Sequence, residues 1–155
     1  MGATWLGLCC VGAFCPAAQN PANASPKSEG NSFSERDSWQ LLTQISGGLV
    51  AHNQKKLLGA FDVAAMTNGP LFRQQIIAFF GQTGIIRVHF NRAQAGMEDG
   101  KGVVTVNVEM EADLRDEGRP PVRKQAELRF VAEKSAAGWK FTEVQPRTFF
   151  STAQP

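Results

Sequence analysis

Few residues of this chain combine the residue type and the setting that catalysis requires. Acid–base chemistry needs a carboxylate, histidine, lysine or tyrosine beside the substrate, and the 155-residue sequence has no tyrosine and only 2 histidines. Asp62 follows a predicted short helix and is our one candidate catalytic residue. A surface or capping role competes with this interpretation, because aspartate side chains often bond to nearby backbone amides.

The sequence contains no recognisable motif for a metal site, a redox-active thiol or a phosphate-binding loop. The three cysteines, Cys9, Cys10 and Cys15, all lie near the N-terminus, so the rest of the chain offers no thiol nucleophile or zinc site. No histidine–glutamate cluster has metal spacing, and no glycine-rich loop has the context of a phosphate site. We therefore predict no metal and no cofactor. The net charge of +2, without a basic stripe, predicts no nucleic-acid partner.

The element that must position any site is a predicted strand over residues 103–115. Apolar and polar residues alternate along it with a period of two, which is typical of a strand with one buried and one solvated face. The face predicted to point inward carries Val104, Val106, Val108, Met110, Ala112 and Leu114. The opposite face carries Thr105, Asn107, Glu109, Glu111, Asp113 and Arg115.

Three further strands and three helices are predicted around this strand. Alternation predicts strands that begin at Ile86, at Val122 and at Trp139, and Asp99-Gly100 predicts a tight turn. Their inward residues include Val88, Phe90, Ala126, Leu128 and Phe130, so we expect an inward face that no titratable side chain interrupts.

The helices precede the strands and have recognisable start signals. Ser34 and Asp37 predict a capping box before a helix whose apolar spacing includes Trp39. Asn53 can cap a second, short helix, and Pro70 suits the start of a third. Residues 63–67 are ambiguous and could form a short strand. The Gly47-Gly48 pair indicates either a kink or the close approach of another element.

The N-terminus predicts export. Residues 4–15 form an apolar run of signal-peptide length, and Ala22-Asn23-Ala24 fits a cleavage site. We divide the chain into a signal peptide at 1–24, a flexible linker at 25–33, one domain at 34–151 and a tail at 152–155. The expected location is periplasmic or extracellular, with no membrane association after cleavage.

The element order resembles the nuclear transport factor 2-like superfamily, in particular its secreted, SnoaL-like bacterial members. Phe61 and Asp62 at the end of helix two, the Phe79-Phe80 pair and the strand motif Trp139-Lys140-Phe141 carry this resemblance. It implies an α+β fold, a cone-shaped roll in which three N-terminal helices pack on a curved four-stranded antiparallel sheet around a pocket. The pocket would be lined by Trp39, Phe61, Phe72, Phe79, Val88, Phe90, Val106, Met110, Leu128, Phe130 and Trp139.

Two functions stay open at this point. The first is an exported, non-catalytic binding or interaction module whose apolar pocket holds a small lipid-like molecule or is simply packed. The second is a small-molecule isomerase, cyclase or hydrolase of SnoaL type that uses Asp62. The apolar inward face favours the first.

A homodimer is the expected partner arrangement. The resemblance implies that a sheet face of this size often serves dimerisation, and mixed charge allows a two-fold interface to complement itself. His89 falls on this face and is predicted to be a surface residue rather than a catalytic one. The residues expected at the interface are Arg87, His89, Glu109, Glu111, Arg123, Glu127 and Arg129.

Overall fold

A computed structural model describes residues 32–116 and 118–152. The predicted signal peptide, most of the predicted linker and residues 153–155 lie outside the described residues. The helices are α1 (Glu35–Val50), α2 (Gln54–Leu58) and α3 (Gly69–Gln82), and the strands are β1 (Thr83–Glu98), β2 (Lys101–Leu114), β3 (Val122–Ser135) and β4 (Gly138–Gln145). A 3₁₀ turn at Arg147–Phe150 follows them. In the described part, no helix has the length and apolarity needed to span a bilayer.

The predicted helix starts are confirmed. At α1, the backbone N–H of Asp37 donates to Ser34 Oγ at 3.1 Å, and the N–H of Ser34 donates to Asp37 Oδ2 at 2.9 Å. At α2, the N–H of Lys56 donates to Asn53 Oδ1 at 2.9 Å. These side chains satisfy amides that have no partner within their own helix. Pro70 lies in the first turn of α3, where its missing N–H costs nothing.

The sheet is an antiparallel meander in the order β1-β2-β3-β4. Asp99 and Gly100 connect β1 to β2 with φ angles of 49° and 77°. A two-residue hairpin turn needs positive φ at both positions, which explains this residue pair. β1 is longer than predicted, and its pairing with β2 shifts register twice, between Thr83 and Ile86 and between Asn91 and Gln94. Arg92, within the second shift, has a φ of 52°.

The helices cover one face of this sheet, so the predicted α+β architecture is confirmed. On β2, Val104, Val106 and Val108 are fully buried beneath the helices, whereas Thr105 and Asn107 on the other face are only half-buried. The segment after α2 joins the edge strand β4 through a parallel bridge between Phe61 and Phe141. This bridge fixes the helical layer to the edge of the sheet farthest from β1.

In the helical half, the prediction for Trp39 is wrong and the ambiguity at residues 63–67 is resolved. Trp39 is 41% exposed and not part of the core, because α1 turns Leu42, Ile45 and Leu49 inward and Trp39 lies on a flanking side of the helix. Residues 63–67 form turns rather than a strand.

The Gly47-Gly48 pair marks a close approach rather than a kink. A Cβ atom on Gly48 would lie 2.6 Å from the backbone nitrogen of Leu57, so the absent side chain lets α2 pack against α1. At Gly47 the nearest atom is the flexible end of Lys56. Gly48 is therefore the member of the pair that the packing requires.

Candidate functional site

Asp62 occupies the junction between α2 and the turns that lead to α3. Its Oδ1 accepts a hydrogen bond from the N–H of Ala65 at 3.2 Å, and its own N–H donates to the Phe141 carbonyl at 2.9 Å. The Asp62 carbonyl accepts from the N–H groups of Ala65 and Met66, each at 3.1 Å. The side chain is only half-buried. In this setting the carboxylate caps a turn, which is the competing structural role that the sequence left open.

Aromatic rings fill the interior around the predicted pocket. Phe61 lies 5.0 Å from Phe72 and 6.3 Å from Phe130, measured between ring centroids. Phe130 lies 4.6 Å from Phe141, and Phe72 lies 6.1 Å from Phe150. These separations are those of rings in direct attractive contact. The rings therefore pack against one another over the region where a ligand was expected.

The other predicted lining residues join the same cluster or lie against it. Trp39 is the exception, since it is exposed and absent from the cluster. Phe90 and Trp139 are partly buried and pack against its outside. The remaining buried members are Phe79, Val88, Val106, Met110 and Leu128.

Lys124 is a titratable residue on the inward side of β3 that the sequence analysis missed. It lies between Val122 and Ala126 in the alternation and opposite Met110 in the register, so the expected inward face without titratable groups is wrong. Its Nζ donates to the Thr148 carbonyl at 2.8 Å and to Ser151 Oγ at 3.2 Å. Burial lowers the pKa of Lys124. The residue spacing carried the signal, because position 124 has the same parity as Val122.

The two histidines have unequal settings. His52 directs Nε2 to the Phe80 carbonyl at 2.9 Å near the end of α3, and its ring contacts the Phe80 ring at 4.8 Å. The same nitrogen lies 3.2 Å from Arg115 Nη2, which can only donate, so the two contacts call for opposite tautomers of His52. Through its contact with the Phe80 carbonyl, His52 lies at the C-terminal end of α3 rather than capping α1. His89 lies on the exposed face of β1.

The uncovered face of the sheet carries the predicted charged residues as cross-strand rows. Arg87 lies opposite Glu111, which lies opposite Arg123, and His89 lies opposite Glu109. Glu111 accepts from Arg87 Nη1 at 3.3 Å and from Arg123 Nε at 2.7 Å. We call this surface the outer sheet face. Its residues line an open cleft of about 430 Å³, to which Met110 and Lys124 also contribute.

Two polar residues extend these rows beyond the predicted set. Gln125 Nε2 donates to Glu109 Oε1 at 3.3 Å, and Asp113 Oδ1 lies 3.8 Å from Arg87 Nη1. Arg129 pairs with Glu98 at 2.6 Å and takes no part in the rows that contain Glu109 and Glu111. The outer sheet face is thus a surface of alternating charge. The carboxylates of Glu109 and Glu111 both have partners on this face.

Similar solved structures share the arrangement of helices and strands. A candidate scytalone dehydratase from Novosphingobium aromaticivorans has a TM-score of 0.62 and 14% identity, over 70% of this chain and 79% of that protein. A nuclear transport factor 2-like superfamily protein from Salmonella enterica serovar Typhimurium has a TM-score of 0.60 and 12% identity, over 70% and 86% of the two chains. A type 2 hexachlorocyclohexane dehydrochlorinase has a TM-score of 0.54 and 12% identity, over 70% and 81%.

No protein-family profile and no curated protein sequence match this chain. The likeness is therefore one of fold rather than of sequence, and fold alone assigns no activity. The helices packed on an antiparallel meander, together with these structural neighbours, identify the fold. This chain has the fold of the nuclear transport factor 2-like superfamily.

Proposed function

We propose that this protein is an exported, non-catalytic interaction module that acts through its surface. The observation that carries the proposal is the interior, where buried Phe61 contacts both Phe72 and Phe130 in the region expected to hold a substrate. A substrate would have to separate these rings, and their buried apolar area would be lost. Binding of a small apolar ligand in the interior stays a prediction, and such a ligand would also have to separate these rings.

The enzymatic alternative rests on Asp62 and on the neighbours with this fold. One of those neighbours is a dehydrochlorinase, so chemistry is compatible with the architecture. In this chain, however, the Asp62 carboxylate caps a turn through Ala65. The capping role predicts that replacing Asp62 lowers the stability of the protein. The catalytic role predicts that replacement raises it, because catalytic acids often destabilise the folded state.

Substitution of Asp62 tests the proposal directly. Asp62→Ala removes the side-chain acceptor of the Ala65 amide, which keeps the Asp62 carbonyl as its other acceptor, and should lower the free energy of unfolding by about 0.5 kcal/mol, the low end of the cost of losing a cap. Asp62→Asn keeps a side-chain oxygen and should stay within a few tenths of a kcal/mol. Urea unfolding of both variants measures these values. An increase in stability in both variants would contradict the capping role and favour catalysis.

We also propose that the outer sheet face forms a homodimer. Rows of opposite net charge adjoin on this face: Arg87 and Arg123 flank Glu111, whereas Glu109 lies beside neutral Gln125. A two-fold axis between the rows would bring the arginines of one copy against Glu109 of the other. Light scattering should find a dimer at low salt that dissociates at high salt, since exposed charge pairs are screened within about 10 Å at 0.1 M. A monomer at low salt and high concentration would refute it.

Export is proposed from the apolar run at residues 4–15 and the site at Ala22-Asn23-Ala24. Both segments lie outside the described residues, so the support is the sequence pattern alone. Intact-mass spectrometry of protein from the native host should find a chain that begins near Gln19 or Ser25. A cytosolic protein that retains Met1 as its main form would exclude export.

A further inference from the structure

The side of the helical layer that faces away from the sheet carries two adjoining depressions. One, of about 460 Å³, lies between α2 and α3, and the other, of about 560 Å³, lies between α3 and the turns before it. Arg73 and Ile77 line both depressions, because they are four residues apart on α3 and lie on one side of the helix. We call this surface the α2–α3 groove.

The second depression of the α2–α3 groove is mainly apolar, whereas the first mixes apolar with polar side chains. Ile77 is 48% exposed and is the apolar side chain that lines both depressions. Leu58 lines the first depression, whereas Val63 and Pro70 line the second. Exposed apolar side chains that gather around a concave surface are typical of a binding site, whereas single scattered ones need no explanation.

The charges that line this groove have one sign. Lys55 lines the first depression and Arg73 lines both, and the other lining side chains are uncharged. Within residues 32–116 and 118–152, neither cation forms an ion pair with an acidic side chain. A partner that supplies carboxylates to Lys55 and Arg73 would complement the groove in charge as well as in shape.

From this combination we infer that the α2–α3 groove binds an acidic amphipathic helical segment of a partner protein. Apolar side chains one turn apart on such a helix would enter the depressions on either side of Ile77, while flanking carboxylates reach Lys55 and Arg73. An anionic membrane surface would satisfy the cations but has no projecting side chains to fill two depressions. The concave shape therefore favours a peptide.

This inference rests on the proposed interaction function and names its partner class, but it can fail separately. The α2–α3 groove lies on the helical layer, whereas the proposed homodimer uses the outer sheet face. Loss of peptide binding would leave the salt-dependent dimer and the capping role of Asp62 untouched. Conversely, a monomeric protein with a structural Asp62 could still bind the peptide.

The test uses the full chain and a fluorescein-labelled peptide of about 16 residues, roughly four helical turns. Leucines on one face and glutamates on the flanking positions make the peptide acidic and amphipathic, and a scrambled peptide of equal composition is the control. Fluorescence anisotropy should show saturable binding of the first peptide only. Arg73→Glu should weaken binding at least about tenfold, a loss of ~1.4 kcal/mol, and Ile77→Ser should also weaken it.

Arg36→Glu is the matched control, because it makes the same charge change at an exposed position in the first turn of α1, outside the groove. It should leave peptide affinity unchanged. Equal binding of the scrambled peptide, or equal affinity in the Arg73→Glu and Arg36→Glu variants, overturns the inference. So does binding to vesicles of mixed phosphatidylcholine and phosphatidylglycerol that depends on Arg73 and Ile77 when the peptide does not bind.

Discussion

Replacing Val106 with aspartate is expected to unfold the domain. Val106 has no exposed surface and lies opposite Leu128 in the centre of the sheet, beneath the helices. A carboxylate there has no partner, so it must remain buried and unpaired or take up a proton, and both cost free energy. We expect a loss of at least about 4 kcal/mol. For a domain of ordinary stability, about 5–15 kcal/mol, circular dichroism should show a greatly lowered melting temperature or no fold.

Thr105→Asp is the matched control, one residue away and on the opposite face. Thr105 is half-exposed and lies opposite Arg129 across the β2–β3 ladder. The new carboxylate would share the Arg129 guanidinium with Glu98, and this attraction offsets part of the poor strand propensity of aspartate. The free energy of unfolding should change by no more than about 1 kcal/mol. Equal melting temperatures for the two variants would show that the inward and outward faces of β2 are assigned wrongly.

Gly69→Ala should produce the second-largest loss of stability. A Cβ atom on Gly69 would lie 1.8 Å from the carbonyl oxygen of Val63, far inside van der Waals contact. The obstacle is backbone, so no side-chain rotation can relieve it, and the turn that leads into α3 must move. We expect a loss near the upper end of the usual overpacking range, about 3 kcal/mol.

Gly81→Ala makes the same chemical change near the other end of the same helix. Apart from its chain neighbours and the backbone of its own helix, no heavy atom of the described residues lies within 4 Å of a Cβ placed on Gly81. Alanine is the better helix former by up to about 1 kcal/mol, and it also restricts the unfolded chain. This variant should therefore be as stable as the parent or slightly more stable in urea unfolding. A similar loss in both variants would mean that α3 tolerates no added carbon, and the Val63 contact would not be the cause.

Local signals predicted those elements that their own residues determine. The capping box of Ser34 and Asp37, the Asn53 cap and the Asp99-Gly100 turn each depend on neighbours within a few residues, and all three are confirmed. The alternation along β2 likewise predicted its inward face, because a strand has only two faces. Sequence patterns therefore sufficed for the helix starts, the hairpin turn and the order of the layers.

Features that depend on distant packing were predicted less well. Trp39 has the apolar character of a core residue, but the choice of which α1 face meets the sheet is made by the whole helix. Lys124 was missed because its side chain finds acceptors in Thr148 and Ser151, at the far end of the chain. For Asp62, sequence reasoning favoured a surface or capping role over catalysis, but it could not name the capped group, which is the Ala65 amide.

The register shift at Arg92 in β1 affects the tendency of this protein to aggregate in concentrated solution. In the described part of the chain β1 pairs with β2 alone, so its other side is a sheet edge of 16 residues. A straight edge of that length could recruit a strand from another molecule and begin fibril growth. Arg92, with positive φ between Asn91 and Gln94, breaks the regular spacing of backbone donors and acceptors and bends the strand. Only two short stretches remain in step for pairing, and the edge becomes a poor template for aggregation.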